Sequence, residues 1–546
     1  MPKKIAFVDG RIHTPVGIRE ALVVEAGRIA AVGSASDLLL HAGNETEVVD
    51  LKGRSMFPGF GDSHMHFMSW AESQELMELR SCRSIMDLRK VLGDHIATNP
   101  APASGWYRGR GWNQTRMADG RMPNRHDLDD LSPDIPVMLT RVCGHVAVLN
   151  TKALDIAGIT RETRIEGGVI ELGDDGEPSG LLSEDALGYV NARIPKLQDG
   201  DRLALLEKYA PVAASFGLTL LNSDDMGTFD FDFRRAMAFY LLAEREGKLP
   251  FRVRQQFLLP KRDLLLDFLS EGWRTGDGTP FYQIGPLKLL SDGSLGGATA
   301  FLRKDYADLP AGAAPEERRG VAIFQQEELN ELVTLAHSSG MQVAIHAIGD
   351  GALEMCLDAF ETAQTKSPGI ARHMIVHAQI ADDCQLDRMK ALHLGAAIQP
   401  CFVPSDREMS IARLGREWTE RSYRWKSMMR KGIALSAGSD APVEDLRPLH
   451  GIHAAVTRLG PNDDPHMNWT PEERLSVAEA ISLYTWDNAW HGGNEKRRGE
   501  ILPGRDADLV VLEQDPFLTP TEGLWRIEVA MTLCAGRVTH RKSDIY

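Results

Sequence analysis

A chain of 546 residues exceeds what one hydrophobic core organises, and two or three domains are expected. Its formal charge of −16, from 61 basic and 77 acidic residues, argues against a nucleic-acid surface, and 43% hydrophobic residues is ordinary for a soluble globular protein. Six cysteines without CxxC spacing are too few for a disulfide framework; with no apolar run near the length of a membrane span and no signal-peptide core, a cytoplasmic protein without membrane contact is expected.

In chain order, residues 1–54 read as short strands at Ile5–Val8, Ala21–Glu25, Arg28–Val32 and Glu47–Asp50, broken by Asp9-Gly10, Ala26-Gly27 and Lys52-Gly53. Residues 497–546 have the same texture, with strands at Ala507–Leu512, Ile527–Cys534 and Arg537–His540. Neither end closes a core alone, so the two are expected to form one discontinuous β-sandwich. Between them, across 55–496, strands alternate with helices. The strands are Met56–His64, Leu218–Asp224, Phe251–Leu259, Ile284–Leu290, Met341–Ala347, His373–Gln379, Gly395–Cys401 and Ile433–Ser439. Strand then helix, eight times, is the pattern of an α/β (β/α)8 TIM barrel. Thr470, Pro471 and Glu473 form a helix-start signature for the last long helix. The stretch from about 72 to 211 is too long for one crossover and reads as an α/β insertion after the first barrel strand. Such an insertion is expected to wall the substrate pocket, with Trp112, Gln114 and His145 lining it. Phe301–Ile323, rich in Pro, Gly and charge, has the composition of a lid or partner-contact loop.

The chemistry gathers at the strand ends. His64 and His66 lie two apart, so a strand directs both to one side, where two imidazoles make half a cation site. His346 and His377 each end a short apolar run, and Asp440 closes the last one. Lys288 is flanked by apolar residues; burial lowers a lysine pKa, and a neutral amine adds carbon dioxide to give a carbamate able to bridge two cations. Each residue alone has an ordinary alternative: a hydrogen-bonded rim histidine, a buried salt bridge from Lys288 to Asp292 or Asp350, or Asp440 as a helix N-cap. Six of them at the ends of strands one, one, four, five, six and eight favour a metal centre.

These residues, with Phe57-Pro-Gly-Phe-Gly-Asp-Ser-His-Met-His66, Trp112-Asn-Gln114, Gly144-His145 with Asn150, Asp292-Gly-Ser-Leu-Gly296, His346-Ala-Ile-Gly-Asp350, His377-Ala-Gln379, Gly438-Ser-Asp-Ala-Pro-Val443 and Ala507-Asp-Leu-Val-Val-Leu512, resemble the amidohydrolase superfamily. Within it they are similar to the family-3 group that includes N-substituted formamide deformylases. The resemblance implies a binuclear centre: His64, His66 and Asp440 on one divalent ion, His346 and His377 on the other, and Lys288 bridging as N6-carboxylysine. Zinc is the expected metal; iron, manganese or nickel suit the same donors. The implied reaction is hydrolysis of a C–N amide bond, such as that of an N-substituted formamide, by a metal-activated hydroxide. Asp440 would act as general acid/base and His145 in oxyanion support; Trp112, Gln114, His145 and Asp292 would bind substrate, and the chain would be a homodimer. A mononuclear deaminase of a ring C–N bond is the alternative, and a metal-free barrel scaffold is the reading outside enzymes. Two departures from the family pattern stand out. Val376 occupies a position that is often Glu, and Ala298 one that is often Arg.

Overall fold

The computed structural model describes residues 4–42, 46–100, 102–309, 318–369, 371–467 and 469–545. They form two compact units, Trp70–Leu206 and the rest of the chain. No helix among the described residues is long and apolar enough to cross a membrane.

The larger unit is built on eight parallel strands, here β1 (Phe60–Met65), β2 (Leu218–Ser223), β3 (Arg252–Leu258), β4 (Tyr282–Leu290), β5 (Val343–Ala347), β6 (Met374–His377), β7 (Gly395–Ile398) and β8 (Leu435–Ala437). Each pairs with the next in chain order. Strands covered on both faces carry near-continuous buried runs, as in β1, β2, β6 and β7. Helices such as Gln326–Ser338 and Asp350–Lys366 bury one stripe each, Leu329, Leu332 and Val333 in the first and Leu353, Leu357 and Phe360 in the second.

The barrel closes between β8 and β1 through few bonds. Asp440 N donates to His64 O at 2.8 Å and His66 N donates to Ala441 O at 2.9 Å. The Asp62 carboxylate takes Ser439 N, Ser439 Oγ and His64 N. Gly438 makes room for this seam, since a Cβ there would lie 2.4 Å from Asp62 Oδ1 and 2.6 Å from His64 N.

The run expected as one strand, Met56–His64, is two. Ser55–Pro58 pairs with Leu509–Leu512 in the terminal β domain, and the barrel strand starts at Phe60. Gly59 is the joint: its N–H donates to Asp508 O, and a Cβ on it would press Thr219 Cγ2 at 2.3 Å. Both chain ends build the terminal domain, as expected. Phe7, Leu22 and Met56 share one core with Leu509, Val511 and Leu533.

The helix start expected at Thr470 is a 3-10 turn, Pro471–Glu473, whose Thr470 makes no side-chain cap bond. Glu473 is drawn away to Ser427, accepting from its N and Oγ. The capping box falls one motif later, at Ser476 and Glu479, and opens the helix Val477–Tyr484. The helix Trp486–His491 follows.

The smaller unit carries a six-stranded sheet of its own, running in spatial order Gly168–Leu172, Pro178–Glu184, Val146–Leu149, Val137–Arg141, Tyr107–Trp112 and Met77–Glu78. Asn150 explains its place in the sequence pattern. Fully buried, it accepts from Val137 N and Ala153 N and donates to the carbonyls of Ser132 and Ile135.

Of the segment expected as a lid, residues 310–317 lie outside the described residues. On either side of them, Leu302 N donates to Arg319 O and Tyr306 N to Arg318 O.

Candidate metal centre

His64 and His66 leave the end of β1, His377 ends β6, and Asp440 follows β8. The structure brings their rings and carboxylate together. Ring centroids of His64 lie 5.2 Å from His66 and 5.8 Å from His377; His346 lies 4.5 Å from His377. One ligand atom each from His64, His377 and Asp440 fall within 4.8 Å of one another, and all three residues are buried. Asp440 Oδ1 faces His66 Nε2 at 3.2 Å and His64 Nε2 at 3.5 Å.

Hydrogen bonds at the far side of each ring decide which nitrogen is left open. His66 Nδ1 lies 2.6 Å from Asp224 O, which only accepts, so Nδ1 carries the hydrogen. His64 Nδ1 meets Gln256 Oε1 at 2.9 Å, and Gln256 Nε2 donates to Ser63 O, which fixes the amide orientation. His377 Nδ1 meets Gln399 Oε1 at 2.7 Å, and Gln399 Nε2 donates to Ala397 O in the same way. All three histidines therefore turn Nε2 inward, and His64 and His377, kept neutral by burial, offer its lone pair there. His346 is reversed. Its Nε2 faces two acceptors, Gly293 O at 3.1 Å and Asp292 Oδ1 at 3.3 Å, leaving Nδ1 open. A metal-bound imidazole is held this way, with the other nitrogen donating to a fixed acceptor.

The protonation balance sets His66 apart from His64 and His377. Burial takes His64 well below the usual histidine range, and takes His377 down to about 3 with help from His346. Burial opposes a charge on His66, but the hydrogen bond to Asp440 and the field of Asp224 outweigh it, raising His66 to about 9. Burial likewise opposes a charged Asp440, yet its imidazole neighbours hold it well below the carboxylate range. Lys288 on β4 is buried, and desolvation lowers its pKa against the pull of Asp224 and Asp440. The open lone pairs of His64 and His377, an ionised carboxylate and a lysine amine of lowered pKa fit divalent cations, and a cation there would take the place of the proton on His66 Nε2. His377 (φ 73°), Ala378 (φ 45°) and Asp440 (φ 56°) hold left-handed backbone, which costs a non-glycine residue energy that its surroundings must hold in place.

The remaining expected site residues are elsewhere in the bonding scheme. Asp292 accepts from Phe301 N, Ile348 N and Gly349 N, tying the loop after β4 to the loop after β5 and touching His346. In the smaller unit, Trp112 is wholly buried with its N–H on Leu139 O, a packing environment rather than an open wall. Gln114 accepts from Arg141 Nε, and exposed His145 faces Glu184 at 3.2 Å. Gln256, Gln399 and the Asp224 carbonyl escape sequence reasoning, as does Phe402, stacked on His377 at 5.9 Å. Only the polar residues of the otherwise apolar strands, as in Arg252-Val-Arg-Gln-Gln256, hint at them.

Residues 47–540 match the amidohydrolase family. The chain is 36% identical to the putative amidohydrolase YtcJ of Bacillus subtilis (strain 168) over 96% of both proteins. It is 26% identical to N-substituted formamide deformylase of Arthrobacter pascens, over 96% of this chain and 95% of that one. Among solved structures, an uncharacterized metal-dependent hydrolase from Pyrococcus furiosus superposes with a TM-score of 0.75 at 30% identity, covering 94% of this chain and 99% of that one. With His64, His377 and Asp440 gathered at the strand ends and this match over nearly its whole length, the chain belongs to the amidohydrolase family and is a metal-dependent hydrolase of that type.

Proposed function

We propose that the chain hydrolyses a C–N amide bond, with N-substituted formamides as the substrate class. The observation that carries this reading is the inward turn of the Nε2 atoms of His64, His66 and His377 around ionised Asp440, with the Lys288 amine buried on β4. His64, His66 and Asp440 would hold one divalent ion, His346 and His377 a second, and Lys288, carboxylated, would bridge; zinc suits these donors. Such ions, when bound, polarise a carbonyl oxygen and lower the pKa of water. The rest is done by side chains. Asp440 presents Oδ1 to both β1 histidines, which leaves Oδ2 to take a proton and return it to the leaving nitrogen. The neighbours that keep its pKa low ensure that it starts ionised at neutral pH. Gln256 and Gln399 hold two rings in one tautomer throughout. The likeness to an N-substituted formamide deformylase supports the choice of substrate class.

The test is release of formate and amine from a panel of N-alkyl and N-aryl formamides, acylated amines and ring aminoheterocycles, with metal content measured per chain. Formamide cleavage with two ions, lost on carbon dioxide depletion, is the expected result. Turnover of ring amines alone, with one ion and no dependence on carbon dioxide, would replace this reading with a mononuclear deaminase.

A further inference from the structure

Lys288, His346 and His377 stand near the C-terminal ends of β4, β5 and β6, three strands paired side by side. Beyond the strands, the chain after each is fastened to the chain after the next. Ser291 N donates to His346 O at 3.1 Å, and Ile380 N donates to Ile348 O at 3.2 Å. Phe301 lies across the start of the helix Asp350–Lys366. Its carbonyl accepts from Gly351 N and Ala352 N, and its N–H donates to Asp292 Oδ2 at 2.9 Å. The fit is close: a Cβ on Gly349 would lie 2.0 Å from Phe301 O, and one on Gly351 2.9 Å from it.

Arg303, two residues past Phe301, spans all three segments. Its backbone N donates to Asp350 Oδ1 at 3.0 Å and its Nε to Asp350 Oδ2 at 2.7 Å. Its Nη2 donates to Asp382 Oδ2 at 2.7 Å. Asp350 opens the helix after β5 and is 1% exposed. Asp382 caps the helix Asp383–Ala391 after β6 through a capping box with Gln385, and Gln385 Nε2 donates to Asp350 O at 2.7 Å. Asp350 stands four positions after His346, and Asp382 five after His377. A guanidinium fork can serve two carboxylates in fixed directions, which an ammonium cannot.

The path from this clamp to the rings is short. Asp350 follows Ile348 and Gly349, whose N–H groups donate to the Asp292 carboxylate, and Asp292 Oδ1 faces His346 Nε2 at 3.3 Å. Groups behind a ligating imidazole fix where its open nitrogen points. His64 and Asp440 are braced elsewhere, by Asp62 across the β8–β1 seam. Fastening the two helices to each other is shared with Arg388, which donates to Glu354, Asp358 and Glu361 a turn or more from Asp350. What Arg303 adds is the tie between strand ends. On the two-ion reading of the site, we propose that Arg303 is a positioning residue for the second ion: it locks the chain after β4, β5 and β6 together so that Lys288, His346 and His377 keep one spacing.

The experiment withdraws zinc from the loaded protein with a graded chelator and counts bound ions per chain in the wild type, Arg303→Lys and Arg388→Lys. Both variants keep the positive charge, lose the fork and touch the same two helices, so a merely structural role moves them alike. Arg303→Lys should give up one ion at an affinity about 10-fold weaker than wild type and hold the other unchanged, while Arg388→Lys follows the wild type. Zinc anomalous scattering from half-depleted Arg303→Lys crystals should place the remaining ion on His64 and His66. Equal release by Arg303→Lys and a two-ion wild type, an equal shift in both variants, or a remaining ion on His346 would overturn the proposal and leave the two-ion reading standing. A wild type that holds one ion at most would overturn both. If Arg303→Lys fails to fold, Asp382→Asn, which frees one arm of the fork and leaves Asp350 held, takes its place with the same expected result.

Discussion

The two ends of the barrel are polar in opposite senses. At the rim, His64, His66 and His377 commit their Nδ1 hydrogens outward and turn Nε2 in toward a carboxylate. At the floor, Arg254 Nε, Asn488 Nδ2 and His491 Nε2 are buried with no partner among the described residues. Histidine stands at both ends, so residue type does not tell them apart. What differs is the partner on the far nitrogen: backbone or amide oxygens at the rim, and at the floor a serine hydroxyl able to donate.

That contrast predicts rim changes that abolish turnover with the fold intact, and floor changes that lower stability with the metal centre intact. The largest effect is expected from Asp440→Asn. Losing both ligand charge and proton carrier should cut kcat/KM by about 10³-fold with little change in the melting point. An Asp440→Asn enzyme with near-normal turnover would remove Asp440 from the chemistry. Next, Gln399→Ala frees the His377 ring to turn, and metal affinity measured by competition with a chelator should fall by roughly 10- to 100-fold. At the floor, Gly395→Ala drives a methyl into His491. Urea unfolding should show a loss of about 1–3 kcal/mol, with metal content per folded chain unchanged. Metal loss in that variant would show that the two ends are coupled.

The smallest effect is a slope with pH. His373, at the floor, is buried and neutral, pulled down to about 3 by burial and by His337. Its Nδ1 accepts from Val343 N, and His337 Nδ1 lies 2.9 Å from its Nε2. Because the folded pKa lies below the unfolded value near 6.5, the unfolded chain takes up the proton first. The contribution is complete above pH 6.5 and is lost as pH falls toward 3. His373→Gln should flatten the fall of the urea midpoint across that window, and an unchanged slope would assign acid sensitivity to other groups.

The eightfold alternation and the two-ended β domain were legible because each rests on local pattern, and the rim histidines stood out because each closes a short apolar run. What escaped depends on register between strands distant in sequence. Gln256 reaches His64 across 192 positions, and no spacing within β3 announces that meeting. Ser55–Pro58 and Phe60–Met65 read as one strand because the break at Gly59 falls inside a continuous apolar run. Thr470–Glu473 and Ser476–Glu479 spell the same helix-start motif. Only the capture of Glu473 by Ser427, a tertiary event, decides between them. Trp112 looked like a pocket aromatic because composition does not distinguish a wall from a core.

The β8–β1 seam has a consequence for the order of events during synthesis. The residues that fasten it, Asp62 and Ser439, each lie within two positions of a ligand, His64 on one side and Asp440 on the other. A ribosome-bound chain stopped before residue 439 holds most of the barrel yet owns neither the clasp nor Asp440. Catalytic competence therefore arrives together with ring closure, and a fragment that ends early is inert rather than partly active.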